Sequence, residues 1–166
     1  MSTVDAMSPL SAAEHAAILG FVSHYPTARA ACIEALRHVQ ERRGWVSDPV
    51  LAEIAAALGM SPAQLDEVAT FYNLIFRQPV GDHVLYLCDS ITCWIMGRDA
   101  LAIQLGDRLG IRQGETTTDG RFTLLPIVCL GHCDHAPALM LDGTLHGDVD
   151  AGSLDRLLVA SRHGDD

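Results

Sequence analysis

No lysine occurs in this chain. All eleven of its basic residues are arginine, set against 21 acidic residues for a formal net charge of −10. The absence rules out a Schiff-base lysine and the lysine of a phosphate-binding P-loop. The acidic balance excludes nucleic acid as a partner, because phosphate binding depends on dense positive charge. Also missing is any apolar run near the roughly 20 residues that span a bilayer, so direct membrane insertion is not expected. The opening MSTVDAMSPL lacks the basic start and apolar stretch of a secretion signal, and a cytoplasmic location with reduced thiols follows as the expectation. There is no C-x-x-C dithiol, no G-x-G-x-x-G dinucleotide loop, no defensible Ser-His-Asp grouping and no internal repeat. What remains is 166 residues, 49% hydrophobic, enough for one domain or two small ones around a buried core.

Composition changes part-way along. Fifteen of the 21 alanines fall in residues 1–70, whereas eleven of the 14 glycines fall from Gly81 onward. Alanine is the best helix former and glycine gathers at turns. Arg77-Gln78-Pro79-Val80-Gly81 ends a helical pattern, which suggests a helical unit over 1–80 and a second unit over 81–166. In the first unit, one helix is expected over about Ser11–Ser23 and another from near Thr27 to before Gly44. Asp48 is the expected cap of a third, with Pro49 in its first turn and a stop at Gly59. Ser61-Pro62-Ala63-Gln64 has capping-box spacing, and Leu65, Val68, Phe71, Tyr72 and Ile75 continue that helix.

The second unit alternates. His83–Leu87 and Phe122–Val128 read as strands flanking a helix over Gly97–Leu109. Ala138–Leu141 and Thr144–Val149 straddle Asp142-Gly143, a strong hairpin signal, and Ser153–Ser161 closes as a helix. The order β-α-β-β-β-α suits a compact α/β sandwich of the thioredoxin type, with a crossover helix between the first two strands.

Four of the five cysteines lie in this second unit, as Cys88-x4-Cys93 and Cys129-x3-Cys133. The first member of each pair is expected at a strand end, so two thiol-bearing loops converge at one sheet edge. Gly131, lacking a Cβ, lets the second loop turn tightly and aim backbone N–H groups at sulfur. Four thiolates in this pattern suit a [2Fe–2S] cluster, with two cysteines on each iron. A structural zinc site could use the same donors, although zinc knuckles favour tighter spacing such as C-x2-C, and unligated core thiols are a third reading. A plant-type ferredoxin pattern would need a cysteine where Met96 stands, and a Rieske centre would need two histidine ligands. Cys32, between Ala31 and Ile33, reads as a core thiol. His132 and His135 read either as hydrogen-bonding neighbours of the site or, more simply, as solvated loop residues. Trp94 reads as hydrophobic cover; Phe71, Tyr72 and Phe76 read as core or, failing that, as a subunit contact.

Cys88-Asp-Ser-Ile-Thr-Cys93, Cys129-Leu-Gly-His-Cys133 and the following Asp134-His135-Ala136-Pro137 resemble the thioredoxin-like [2Fe–2S] ferredoxin family. So do Tyr25-Pro26, Gln40 before Arg43-Gly44, Ile54-Ala55 and Val68-Ala69-Thr70-Phe71-Tyr72, which resemble that family's helical domain. The family includes the 24 kDa subunit of respiratory complex I, a diaphorase subunit of NAD-linked hydrogenases and the gamma subunit of NAD-dependent formate dehydrogenase. Cys133–Met140 and Thr144-Leu145-His146-Gly147 most resemble the formate dehydrogenase gamma subunit. The resemblance implies an α+β chain, a small N-terminal helical bundle followed by a thioredoxin-like α/β [2Fe–2S] ferredoxin domain. It implies one [2Fe–2S] cluster on Cys88, Cys93, Cys129 and Cys133, and no catalytic residues. It further implies that FMN, NAD and a molybdenum cofactor reside on partner subunits: a flavin/NAD-binding subunit, docked by the helical half, and a large molybdenum/Fe–S subunit.

Overall fold

The computed structural model describes residues 8–163, and the chain divides into two compact units, one ending at Pro79 and the other beginning at Val80. The first unit holds α1 (Ala12–Val22), a 3₁₀ turn (Ala28–Ala31), α2 (Cys32–Arg43), α3 (Asp48–Ala57) and α4 (Pro62–Phe71). Ile18, Leu36, Val39, Ile54 and Leu65 meet in its core, and Cys32 is buried among them, as a core thiol should be.

Helix α1 starts with a capping box in which Ser11 and Glu14 satisfy each other's backbone N–H groups. Glu14 also accepts from Arg43 of α2, at 2.7 Å from Nε and 2.6 Å from Nη2. The same guanidinium donates to the carbonyls of Ser8 and Pro9, tying the chain ahead of α1 to the end of α2. This ion pair is buried, and Arg43 beside it holds the Glu14 carboxyl down at about 2.

Helix α4 has the expected capping box, with Ser61 and Gln64 reciprocally bonded and Pro62 in the first turn. Two expectations for this unit need correction. The cap of α3 is Ser47, whose backbone is extended; Asp48 is already helical and its carboxylate meets the Arg77 guanidinium. Helix α4 ends at Phe71, because Tyr72 turns to an extended conformation and Gln40 clasps the chain beyond through the Leu74 carbonyl and the Phe76 N–H. Ile75 therefore reaches the core from a loop, while Phe71 points outward at 77% exposure instead of joining the core, with Tyr72 and Leu74 also exposed.

The second unit is a four-stranded sheet with helices α5 (Ile91–Ile95), α6 (Arg98–Leu109) and α7 (Ala151–His163). Its strands are β1 (His83–Cys88), β2 (Phe122–Ile127), β3 (Leu139–Leu141) and β4 (Thr144–His146), in spatial order β2-β1-β3-β4. Strand β1 runs parallel to β2, with Cys88 opposite Ile127, and antiparallel to β3, with Leu87 opposite Leu139. A parallel pair requires a crossover, which α5 and α6 supply. The β3–β4 hairpin turns on Asp142 and Gly143, both at positive φ, as a two-residue turn of the right twist requires. Leu101 and Leu105 of α6 and Leu154 and Leu158 of α7 pack with Leu85, Leu87, Phe122 and Leu139 from the sheet. No helix among the described residues is long and apolar enough to cross a membrane.

Candidate metal centre

The two loops carrying the paired cysteines leave the sheet at the carboxyl ends of the parallel strands, the end at which open α/β sheets hold ligands. Cys88 is the last residue of β1, and its N–H is held by the Ala138 carbonyl at 3.2 Å. The next residue, Asp89, donates to Ile127 of β2 at 2.7 Å, so the first loop begins from a fixed point. Cys93 sits on α5, a short helix that the alternation pattern does not reveal because five residues are too few to display a periodicity. Cys129 lies two residues beyond β2 and not at its end, since strand pairing stops at Ile127.

The structure brings the four thiols into mutual range. Cys129 and Cys133 have their sulfurs 3.4 Å apart, and Gly131, at φ 78°, donates its N–H to Cys129 Sγ at 3.4 Å. Cys88 and Cys93 are each only 1% exposed and enclosed with Ala136, Ala138 and Leu130, whereas Cys129 and Cys133 are exposed. Burial pushes the Cys93 thiol up, reinforced by Cys88 and opposed by the Ala138 N–H. Cys129 is lowered, first by the Gly131 N–H and then by Cys133, the Ser90 hydroxyl and Cys88. Cys133 is raised first by its hydrogen bond with Cys129, with Thr92 acting in the opposite direction. The thiols thus act on one another as two pairs, Cys88 with Cys93 and Cys129 with Cys133, and Cys88 reaches both members of the second pair. Among the described residues no three His, Cys, Asp or Glu side chains are gathered around one point closely enough for a single metal ion. Soft thiols arranged two and two, with backbone N–H groups aimed at sulfur, suit the donor requirements of a two-iron cluster.

Residues 18–162 match the family model described as thioredoxin-like [2Fe–2S] ferredoxin. The chain belongs to that family. The E component of NADH-quinone oxidoreductase from Pseudomonas aeruginosa is 49% identical to this ferredoxin-family chain over 151 residues, 91% of each protein. The corresponding component from Escherichia coli K12 is 48% identical over 149 residues, 90% of each. Among solved structures, an NAD⁺-reducing [NiFe]-hydrogenase in its H₂-reduced state matches with a TM-score of 0.67 and 26% identity over 78% of this chain. The chain spans only 22% of the length of that hydrogenase chain.

In this family member the histidines beside the fourth cysteine are more ordered than free loop residues. His132 and His135 place their rings 4.7 Å apart, and His135 Nδ1 lies 2.6 Å from Asp148. The His132 ring and the His135 Cβ both crowd Gly147, where an added Cβ would collide with His135 Cβ and come within 2.6 Å of His132 Nε2. Sequence reasoning has no signal for this use of Gly147, which lies 14 residues from Cys133 and is a neighbour only in the fold. Nor does any pattern mark Ser90 and Thr92, although both stand inside the Cys88–Cys93 loop. Gly147→Ala is expected to lower stability by about 1–3 kcal/mol, because His135 and the His132 ring must both shift to admit the methyl group. A urea titration checks this; an unchanged midpoint would mean that both residues yield freely.

Trp94 does not cover the core. It is 58% exposed, and Ile91, Ile95, Met96 and Val128 are exposed with it, all flanking cysteines of the site in sequence. Asp89 lies 3.4 Å from Arg98.

Proposed function

We propose that this chain is a non-catalytic [2Fe–2S] electron-transfer subunit of an NAD-linked oxidoreductase, with Cys88, Cys93, Cys129 and Cys133 as the cluster ligands. The observation that carries the reading is the convergence of four thiols from two loops at one sheet end, in a chain of this family. When bound, the cluster supplies a one-electron store spread over its iron and sulfide atoms. The chain's own residues do the rest. Ala136, Ala138 and Leu130 exclude water from Cys88 and Cys93. The Gly131 N–H donates to Cys129 Sγ and spreads thiolate charge into the backbone. The exposed pair, Cys129 and Cys133, gives an electron-exchange partner its nearest approach.

The midpoint potential is expected on the order of −400 mV, in the range of all-cysteine ferredoxin clusters and below the Rieske range. A potentiometric titration followed by EPR checks it: the reduced protein shows a mixed-valence signal, and a positive midpoint overturns the ligand set. A colourless protein containing zinc would support the zinc-stabilised interaction module instead.

The host complex has two readings. Identity of 48–49% across nine-tenths of the NADH-quinone oxidoreductase components supports a host of that type, and the hydrogenase likeness supports an NAD-reducing module more broadly. The second reading, a cytoplasmic molybdenum-containing formate dehydrogenase, rests on the Cys133–Met140 and Thr144–Gly147 segments. In both, a flavin/NAD-binding subunit is the immediate partner, and exposed Phe71, Tyr72 and Leu74 equip the helical unit to meet it. Affinity purification of the native complex decides between hosts: quinone-reducing membrane partners support the first, a large molybdenum/Fe–S subunit the second.

A further inference from the structure

The cysteines differ sharply in access. Cys88 and Cys93 are enclosed by the alanines of the site, and Cys32 is buried in the helical core, whereas Cys129 and Cys133 face solvent. The two exposed sulfurs lie 3.4 Å apart, in contact, against ~2.05 Å for a covalent S–S bond. Gly131 already makes the turn between them, so joining them closes a short loop whose ends have met. We propose that, before a cluster is inserted, Cys129 and Cys133 are a selective and reversible oxidation site, forming one intramolecular disulfide with low-molecular-weight disulfides such as oxidised glutathione. The exchange is balanced. One thiolate attacks a glutathione sulfur and expels the first glutathione thiolate; the second cysteine sulfur, losing its proton, then attacks the mixed disulfide and expels the other. Two protein thiols are oxidised, and one glutathione disulfide is reduced to two thiols that take up the two protons.

Access decides which cysteines react, since the attacking protein thiolate must approach the glutathione disulfide in line with its S–S bond. The buried pair is shielded while the exposed pair is not. A disulfide has no thiolate to offer iron, so the oxidised chain is closed to cluster insertion until a dithiol reduces it. That consequence rests on the ligand reading above; the disulfide itself does not.

The test uses the full chain, stripped of iron by a chelator under reducing conditions and then exposed to oxidised glutathione. It is then alkylated with iodoacetamide in denaturant and digested with trypsin. Because the chain lacks lysine, cleavage follows arginine alone, and the two pairs separate onto segments 78–98 and 122–156. Segment 122–156 is expected to be unalkylated and lighter by two hydrogens, and segment 78–98 doubly alkylated. Cys129→Ser is expected to leave glutathione on Cys133 in place of the ring. Alkylation of both Cys129 and Cys133, or a link between the two segments, overturns the proposal. In a second arm, cobalt(II) is the coloured probe of thiolate ligation, because sulfide would itself cleave the disulfide; it is expected to colour the reduced chain and, until a phosphine reductant is added, the oxidised one far less. Full colour in the oxidised chain refutes the gate. No colour in the reduced chain refutes the ligand reading and the gate with it, and leaves the mass measurement standing.

Discussion

Cys93→Ser is expected to remove most of the iron from the purified protein, with loss of its visible absorption, while the fold survives. The substitution keeps the shape of the side chain and replaces a soft thiolate with a hard, weakly acidic hydroxyl that iron–sulfur chemistry does not favour. Cys93 is the proposed ligand with most to lose. It is nearly inaccessible, enclosed with Cys88, Ala136 and Ala138. Cys129→Ser is expected to lower iron content as well. Cys32→Ser provides the control, since Cys32 lies in the helical core and its iron content is expected to match wild type. Iron analysis with circular dichroism on the same samples checks all three. Full iron in Cys93→Ser would remove it from the ligand set, and iron lost from Cys32→Ser would show that the helical thiol takes part in holding metal.

The second large effect lies in the helical unit. Glu14→Ala is expected to lower stability by about 3–5 kcal/mol, because it leaves the buried Arg43 guanidinium without its counter-charge. The same pair makes the unit sensitive to acid, and the sign is set by direction. The folded carboxyl is held at about 2, below its ordinary 4.5, so its stabilisation is complete above about pH 4.5 and is lost as pH falls towards 2. The full interval corresponds to about 3 kcal/mol at ~1.4 kcal/mol per pH unit. Urea midpoints followed by circular dichroism between pH 6 and pH 2 should show that slope in the wild type. Glu14→Gln, which keeps an acceptor and has no proton to gain, should be less stable at neutral pH and flatter across the range. An equally steep decline in Glu14→Gln would place the acid sensitivity elsewhere.

Much of this is written locally in the chain. The capping box at Ser61, the stops at Gly44 and Gly59 and the hairpin at Asp142-Gly143 depend on neighbours within a few residues, and they form where expected. The family resemblance is equally legible, because cysteine spacing is a local property. Pattern and structure part where a distant residue intervenes. Phe71 and Tyr72 continue the apolar stripe of α4, yet Gln40 holds the chain beyond them in a loop and Phe71 is left in solvent. Asp48 is a good cap by residue type, yet Arg77 engages it from the end of the unit.

Residue order alone sets most of the helices, the succession of strands along the chain, the placing of four cysteines in two close pairs, and the family. Folding adds that Arg43 lies against Glu14, that Gly147 makes room for the His132 ring and the His135 Cβ, and that one pair of thiols is enclosed while the other faces solvent. The difference is one of range. Caps, turns and metal-ligand spacings are satisfied within a few residues, whereas burial and charge pairing depend on which distant segments the parallel β1–β2 crossover and the helix packing bring together.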